Sequence, residues 1–345
     1  MTNIESKEDM EKILEKLQWL CQTPSPTGMT REILQGIQDR YPQVAWSRTR
    51  KGTLLGQLPG KGKKIALACH IDTLGLMVQK IKDNGRLEVT TLGGFPLNYV
   101  EQENVLVHTL EGKTYEGTVR LKDPAVHASK DAESAKRDAQ SMEVVLDYLV
   151  EDKKAVQDLG ICNGDYISLD PRFRLAGDGY IKSRHLDDKA SAAILLTLID
   201  HWEDFDHPPV TMVFSCYEEV GHGACGLDLD VEDFIAVDMG VIGEKLEAKE
   251  TDVSICRKDS SGPYDYDLTK DLIDLAKKEG LDFATDVFPF YGSDASAARS
   301  SGLDARFALI GPGVSASHGY ERTHKRGLEN TYRLLEAYLK GQGRC

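Results

Sequence analysis

Apolar residues recur at helical spacing near the start of the chain, at Met10, Ile13, Leu14, Leu17 and Leu20. That stripe predicts an amphipathic helix over residues 6–21 with Ser6 as its cap. Pro24 and Pro26 stop it. A second helix is expected over 30–40, ending before Pro42, and the continuous apolar run KIALAC at 64–69 reads as a strand buried on both faces of a parallel sheet. From 77 to 182 the pattern changes to short β-rich runs (MVQKI, RLEVTTL, VLVHTL, TYEGTVRL, YISLD) separated by Gly, Asn and Asp turns. Such spacing predicts a small barrel or sandwich inserted into a larger domain. Within it, residues 128–140 are charged and nearly devoid of large apolar side chains, so a mobile, partly helical loop is expected there.

Beyond residue 182 long helices and apolar strands alternate again. Helices are expected over 188–202, 266–278, 294–300 and 330–340, and strands at 210–217, 234–238, 251–257, 286–290 and 305–311. This alternation implies a three-layer α/β/α domain on a mixed, mostly parallel sheet, made of 1–76 and 183–345, with 77–182 as a β-barrel-like insertion. The length of 345 residues suits one large domain with an insertion.

The polar residues gain meaning from where they fall on this pattern. His70 and Asp72 follow the strand at 64–69, Glu218 and Glu219 follow 210–217, Asp238 closes 234–238, and His318 lies beyond 305–311. Leu186-Asp187-Asp188-Lys189 opens a long helix. In open α/β sheets a ligand site forms beyond the carboxyl ends of the strands, so these loops should assemble one site. Taken alone, His70 reads as a hydrogen-bonded histidine, and Asp187 and Asp188 as acids favoured at a helix N-terminus.

Carboxylates crowded together repel one another, and a pair of divalent cations would relieve that repulsion. Imidazole with carboxylate suits Zn²⁺ first, with Co²⁺ or Mn²⁺ as alternatives, whereas Mg²⁺ and Ca²⁺ prefer oxygen alone. Two such metals would activate a water, and of the Glu218-Glu219 pair one carboxylate could bind metal while the other serves as general base. Asp72, two residues from His70, could orient the imidazole. His127, His185, His222 and His324 read as bystanders.

The motifs ACHIDTLG, LDDKASAA, EEVGHGACG, AVDMG, YGSDASAARSSG and ASHGYE occur in order along essentially the whole chain. In this the sequence resembles the dinuclear metallo-aminopeptidases that include tetrahedral aminopeptidase and bacterial glutamyl aminopeptidase. The resemblance implies His70, Asp187 and Asp238 on one metal, Asp187, Glu219 and His318 on the other, and Asp187 as the bridge. It implies Glu218 as general base and Asp72 as support for His70. It also implies dimers built through the inserted domain, assembling into a hollow dodecamer. Two positions depart from the family pattern: Thr73 replaces an acidic residue, and Gly311-Pro312-Gly313-Val314-Ser315-Ala316 replaces a Pro-x-Arg-Tyr segment.

Charge and composition narrow the partners. With 42 Lys and Arg against 56 Asp and Glu the formal charge is −14, which disfavours nucleic acid. The longest apolar stretch, 192–199, is far short of the roughly 20 residues that a membrane span needs. Seven scattered cysteines with no C-x-x-C pair read as reduced thiols of a cytoplasmic protein, with Cys69 and Cys216 as packing residues. The substrates expected are short peptides. A deacylase or other amidase on a non-peptide substrate, a glycoside hydrolase and a non-catalytic metal-binding scaffold are the rival readings. The glycosidase is the weakest, because adjacent glutamates do not straddle a sugar at ~5–9.5 Å.

Overall fold

The computed structural model describes residues 7–343. Ser6 and Cys345 lie outside them. The main sheet runs in the order Ala45–Arg48, Leu54–Leu58, Val210–Ser215, Ile65–His70, Asp233–Val237, Arg306–Val314, Val253–Asp259 and Gly262–Pro263, with Phe283–Val287 and Gly240–Val241 paired alongside. Its four central strands, from Val210–Ser215 to Arg306–Val314, are parallel. The two N-terminal edge strands and Val253–Asp259 join them antiparallel.

Alternation along each central strand explains why their sequences are apolar throughout. Ile65, Leu67 and Cys69 pack into one core with Ile13, Leu17, Leu195 and Leu335, while Ala66 and Ala68 face a second core with Phe234, Ala295 and Ala298. Helices therefore cover both faces, and the architecture is α/β/α. The helix Leu186–Asp200 is buried along nearly its whole length, as expected for a helix apolar on all sides. Asp187 and Asp188 at its start have non-helical backbone angles and are joined by a cis peptide bond.

A closed six-stranded barrel is inserted after the strand Ile65–His70. Its strands run in the order Gly75–Ile81, Leu87–Leu92, Met142–Leu146, Thr114–Leu121, Asn104–His108 and Tyr166–Leu169, around a separate core containing Leu76, Val89, Val107, Val144 and Ile167. A third small sheet, Arg174–Ala176, Tyr180–Ser183 and Glu321–His324, carries the chain back to the main domain.

Several elements differ from the sequence pattern. The charged stretch 128–140 forms a single 3-10 turn, Lys130–Ala132. Arg137 anchors it through two hydrogen bonds to Glu101 (2.8 and 3.1 Å) and one to the Ala132 carbonyl (3.0 Å). The strand expected at 286–290 lies at Phe283–Val287, because it pairs with Val253–Asp259 in parallel register. The last helix begins early, at Lys325, where the His324 imidazole accepts the Arg326 amide and caps it.

Candidate metal centre

The ends of the parallel strands bring the sequence-marked residues together. His70 is the last residue of its strand, Asp238 follows Asp233–Val237, and Glu218 and Glu219 sit in a 3-10 turn after Val210–Ser215, which Tyr217 enters with a left-handed φ of 68°. Donor atoms of His70, Asp187 and Asp238 lie within 4.8 Å of one another, as do those of Asp187, Glu219 and His318. Asp187 belongs to both groups. Its Oδ1 lies 3.0 Å from His70 Nε2, and its Oδ2 lies 3.6 Å from His318 Nε2. Glu219 Oε2 is 3.5 Å from His318 Nε2, and Glu218 Oε2 is 3.8 Å from His70 Nε2.

The donor set fits divalent cations. Each group holds one imidazole and two carboxylates, and the shared carboxylate offers one oxygen to each side. Protonation tells the same story. Burial and the Asp187 charge push Asp238 up to about 7. Burial likewise holds Glu218 and Glu219 well above the usual carboxylate range, helped by Asp238 for the former and by Asp187 for the latter. His70 is raised in spite of its burial, because Asp187 and Asp72 accept its hydrogen bonds, and Asp187 is lowered in spite of burial by His70. Carboxylates that must hold protons to coexist are what a bound cation would set free.

The surrounding residues fix each donor. His70 Nδ1 lies 2.9 Å from the Asp72 carbonyl oxygen. The Asp72 carboxylate itself accepts from Thr27 Oγ1 (2.7 Å) and from the backbone amides of Glu218 (3.1 Å) and Glu219 (3.3 Å). Asp72 therefore ties the His70 strand to the Glu218-Glu219 turn. His318, whose side chain is 36% exposed, has its Nδ1 2.6 Å from the Gly94 carbonyl of the barrel. Asp188 stands apart from both donor groups: its Oδ2 accepts the His70 amide at 3.3 Å.

Two contributors escaped the sequence reading. Glu321, buried, accepts the Asp187 amide with Oε2 and the His318 amide with Oε1, both at 3.1 Å. It ties Asp187 and His318 into one frame, and the only signal was its place at the end of ASHGYE. Lys189 is fully buried, donates to Ser25 Oγ (2.6 Å) and the Ile71 carbonyl (2.7 Å), and has its pKa lowered by burial to about 7. It braces the segment between His70 and Asp72 from behind.

Asp187, Glu219, Asp238 and His318 of the two donor groups, with Glu218, line a cleft of about 520 Å³. A family model described as M42 glutamyl aminopeptidase matches residues 52–334. The chain belongs to that family. This M42 chain is accordingly a peptide hydrolase of the aminopeptidase class. It is 44% identical over 339 residues to "Putative aminopeptidase YhfE" of Bacillus subtilis (strain 168), spanning 96% of this chain and 98% of that protein. It is 22% identical over 303 residues to the lysyl aminopeptidase of Pyrococcus furiosus, spanning 84% of this chain and 85% of that one. Among solved structures, a TET aminopeptidase from Thaumarchaeota archaeon SCGC AB-539-E09 superposes with a TM-score of 0.88 at 20% identity, over 96% of each chain. That likeness establishes the fold.

The departures of this M42 chain from the family pattern have visible surroundings. Thr73 is buried against the 25–27 segment, its amide donating to the Ser25 carbonyl and its carbonyl accepting the Thr27 amide, and it lines a cavity other than the site cleft. At Gly311 a Cβ would overlap the Asp238 carbonyl, and at Gly313 it would overlap the Lys249 carbonyl. Gly311 thus lets the strand Arg306–Val314 press directly against the backbone of Asp238, and Gly313 lets it press against that of Lys249. His127, His185, His222 and His324 belong to neither donor group; His222 stacks on Tyr217 with ring centroids 5.2 Å apart.

Proposed function

We propose that this M42 chain removes N-terminal residues from short peptides with two divalent cations, Zn²⁺ first and Co²⁺ or Mn²⁺ as alternatives. The observation that carries the reading is the pair of donor groups sharing Asp187 beside Glu218 at the floor of an open cleft. His70, Asp187 and Asp238 would hold one ion, and Asp187, Glu219 and His318 the other. Bound there, the ions would supply Lewis acidity towards the scissile carbonyl and towards a water.

The chain's own residues do the rest. Glu218 lies close to both donor groups without belonging to either, so its carboxylate is free to take the proton from the attacking water and deliver it to the departing amine. Asp72 holds the amides of Glu218 and Glu219, which keeps base and metal donor in fixed relation.

On this reading 1–76 and 183–345 form the catalytic unit, apart from Gly75 and Leu76, which open the barrel's first strand, and 77–182 form the rest of the inserted barrel, which builds dimers. Support comes from the solved relatives: one is described as a dodecamer, and TET1 of Pyrococcus horikoshii assembles into a tetrahedron or a large octahedral shell. Twelve chains of 38.2 kDa would weigh about 460 kDa, which light scattering would detect. No helix among the described residues is long and apolar enough to cross a membrane, and the six described cysteines are free thiols, which supports a cytoplasmic location.

The test is hydrolysis of aminoacyl anilides and short peptides by protein loaded with Zn²⁺ or Co²⁺. Release of N-terminal amino acids, abolished by chelation and restored by metal, is the expected result. Cleavage confined to N-acylated amino acids would favour a deacylase instead.

A further inference from the structure

The part of the cleft above the donor groups differs from what a glutamyl or lysyl specificity would require. Beyond Asp187, Glu218, Glu219, Asp238 and His318, its lining consists of Pro96, Tyr99, Met239, Val241, Phe290 and Tyr291, with Ser317 and three glycines. None of these carries a charge.

The apolar wall is also held in place. Tyr291 donates its hydroxyl to the Met239 carbonyl at 3.0 Å and packs against Phe288 with ring centroids 5.1 Å apart. Val241 belongs to the short strand Gly240–Val241, paired with Gly313–Val314. Tyr99 comes from the barrel, and a Cβ at Gly319 would meet its ring at 3.3 Å, so the barrel closes against the loop that carries His318. Phe290 is 94% exposed at the mouth.

We propose that Tyr99, Met239, Val241, Phe290 and Tyr291 form the side-chain subsite of this enzyme, and that it selects uncharged apolar or aromatic N-terminal residues over glutamyl, aspartyl, lysyl and arginyl ones. The proposal rests on the aminopeptidase reading above. A charged side chain entering this subsite loses its water and gains no counter-charge, whereas leucyl, methionyl or phenylalanyl side chains bury apolar area against the aromatic wall.

The experiment compares kcat/KM of the zinc-loaded protein on Leu, Met, Phe, Ala, Glu and Lys anilides. Titration calorimetry on the free amino acids Leu, Glu and Lys supplies a readout apart from turnover. Leu, Met and Phe should exceed Glu and Lys by at least ~10-fold in kcat/KM, and leucine should bind where glutamate and lysine do not. Phe290→Ala, at a solvent-exposed position, should lower kcat/KM on Phe and Leu by a larger factor than on Ala. Val241→Arg should raise glutamyl turnover relative to leucyl. Preference for Glu or Lys in the native enzyme would overturn the proposal and leave the peptidase reading standing. Turnover of none of the six would overturn both. An equal effect of Phe290→Ala on every substrate would remove Phe290 from the subsite.

Discussion

Adding zinc to the metal-stripped protein should expel protons, and the number should depend on pH in a way that the site's geometry sets. Asp238 is pushed up to about 7 by its burial and by the Asp187 charge, so at pH 6 it is roughly nine-tenths protonated. Glu219 and His70 are also raised, while Asp187 is held down by the hydrogen bond from His70. Each ligand must shed its proton to bind a cation. Protons should therefore leave as zinc binds, and fewer at pH 8 than at pH 6, because Asp238 is then largely ionised before the metal arrives.

The sign follows directly: protons oppose the metal, so affinity rises with pH. Each displaced proton makes the apparent affinity climb about tenfold per pH unit, or ~1.4 kcal/mol. Zinc titration calorimetry at pH 6 and 8, each in two buffers of different ionisation enthalpy, counts the protons. Asp238→Asn should erase most of the difference between the two pH values. Zinc uptake at pH 6 without proton release would refute the reasoning, since the cluster would then be ionised before metal arrives.

Other outcomes follow from single contacts. Glu218→Gln should keep both metals, measured by elemental analysis, while kcat falls by ~10²–10⁴; undiminished turnover would remove Glu218 as the base. Gly311→Ala should force the strand off the Asp238 carbonyl, costing ~1–3 kcal/mol in urea unfolding and weakening zinc uptake. Thr27→Val removes the 2.7 Å bond to the buried Asp72 carboxylate and should cost ~1–3 kcal/mol; wild-type stability and kcat together would make that bond idle.

Much of this was legible in the sequence because burial writes itself into composition. A strand covered on both faces must be apolar throughout, so Ile65–His70 and Val210–Ser215 stand out, and the polar residues immediately after them mark the site. The barrel was legible through its short alternating runs. What stayed hidden depends on pairings that no local pattern reveals. The strand Leu54–Leu58 is defined by its antiparallel partners on either side, Ala45–Arg48 and Val210–Ser215. Glu321 matters because its two oxygens reach amides on different segments, and Gly94 because its carbonyl meets a histidine 224 residues away. The glycines at 311 and 313, a departure when read as letters, become a packing requirement once the Asp238 and Lys249 carbonyls lie against them.

The claim on which the rest depends is that Asp187 joins two metal positions. Anomalous diffraction at the zinc edge from crystals of the loaded protein tests it directly. The account requires two peaks per chain flanking the Asp187 carboxylate, one within bonding distance of His70 and Asp238, the other of Glu219 and His318. A single peak, or zinc bound away from Asp187, would contradict it.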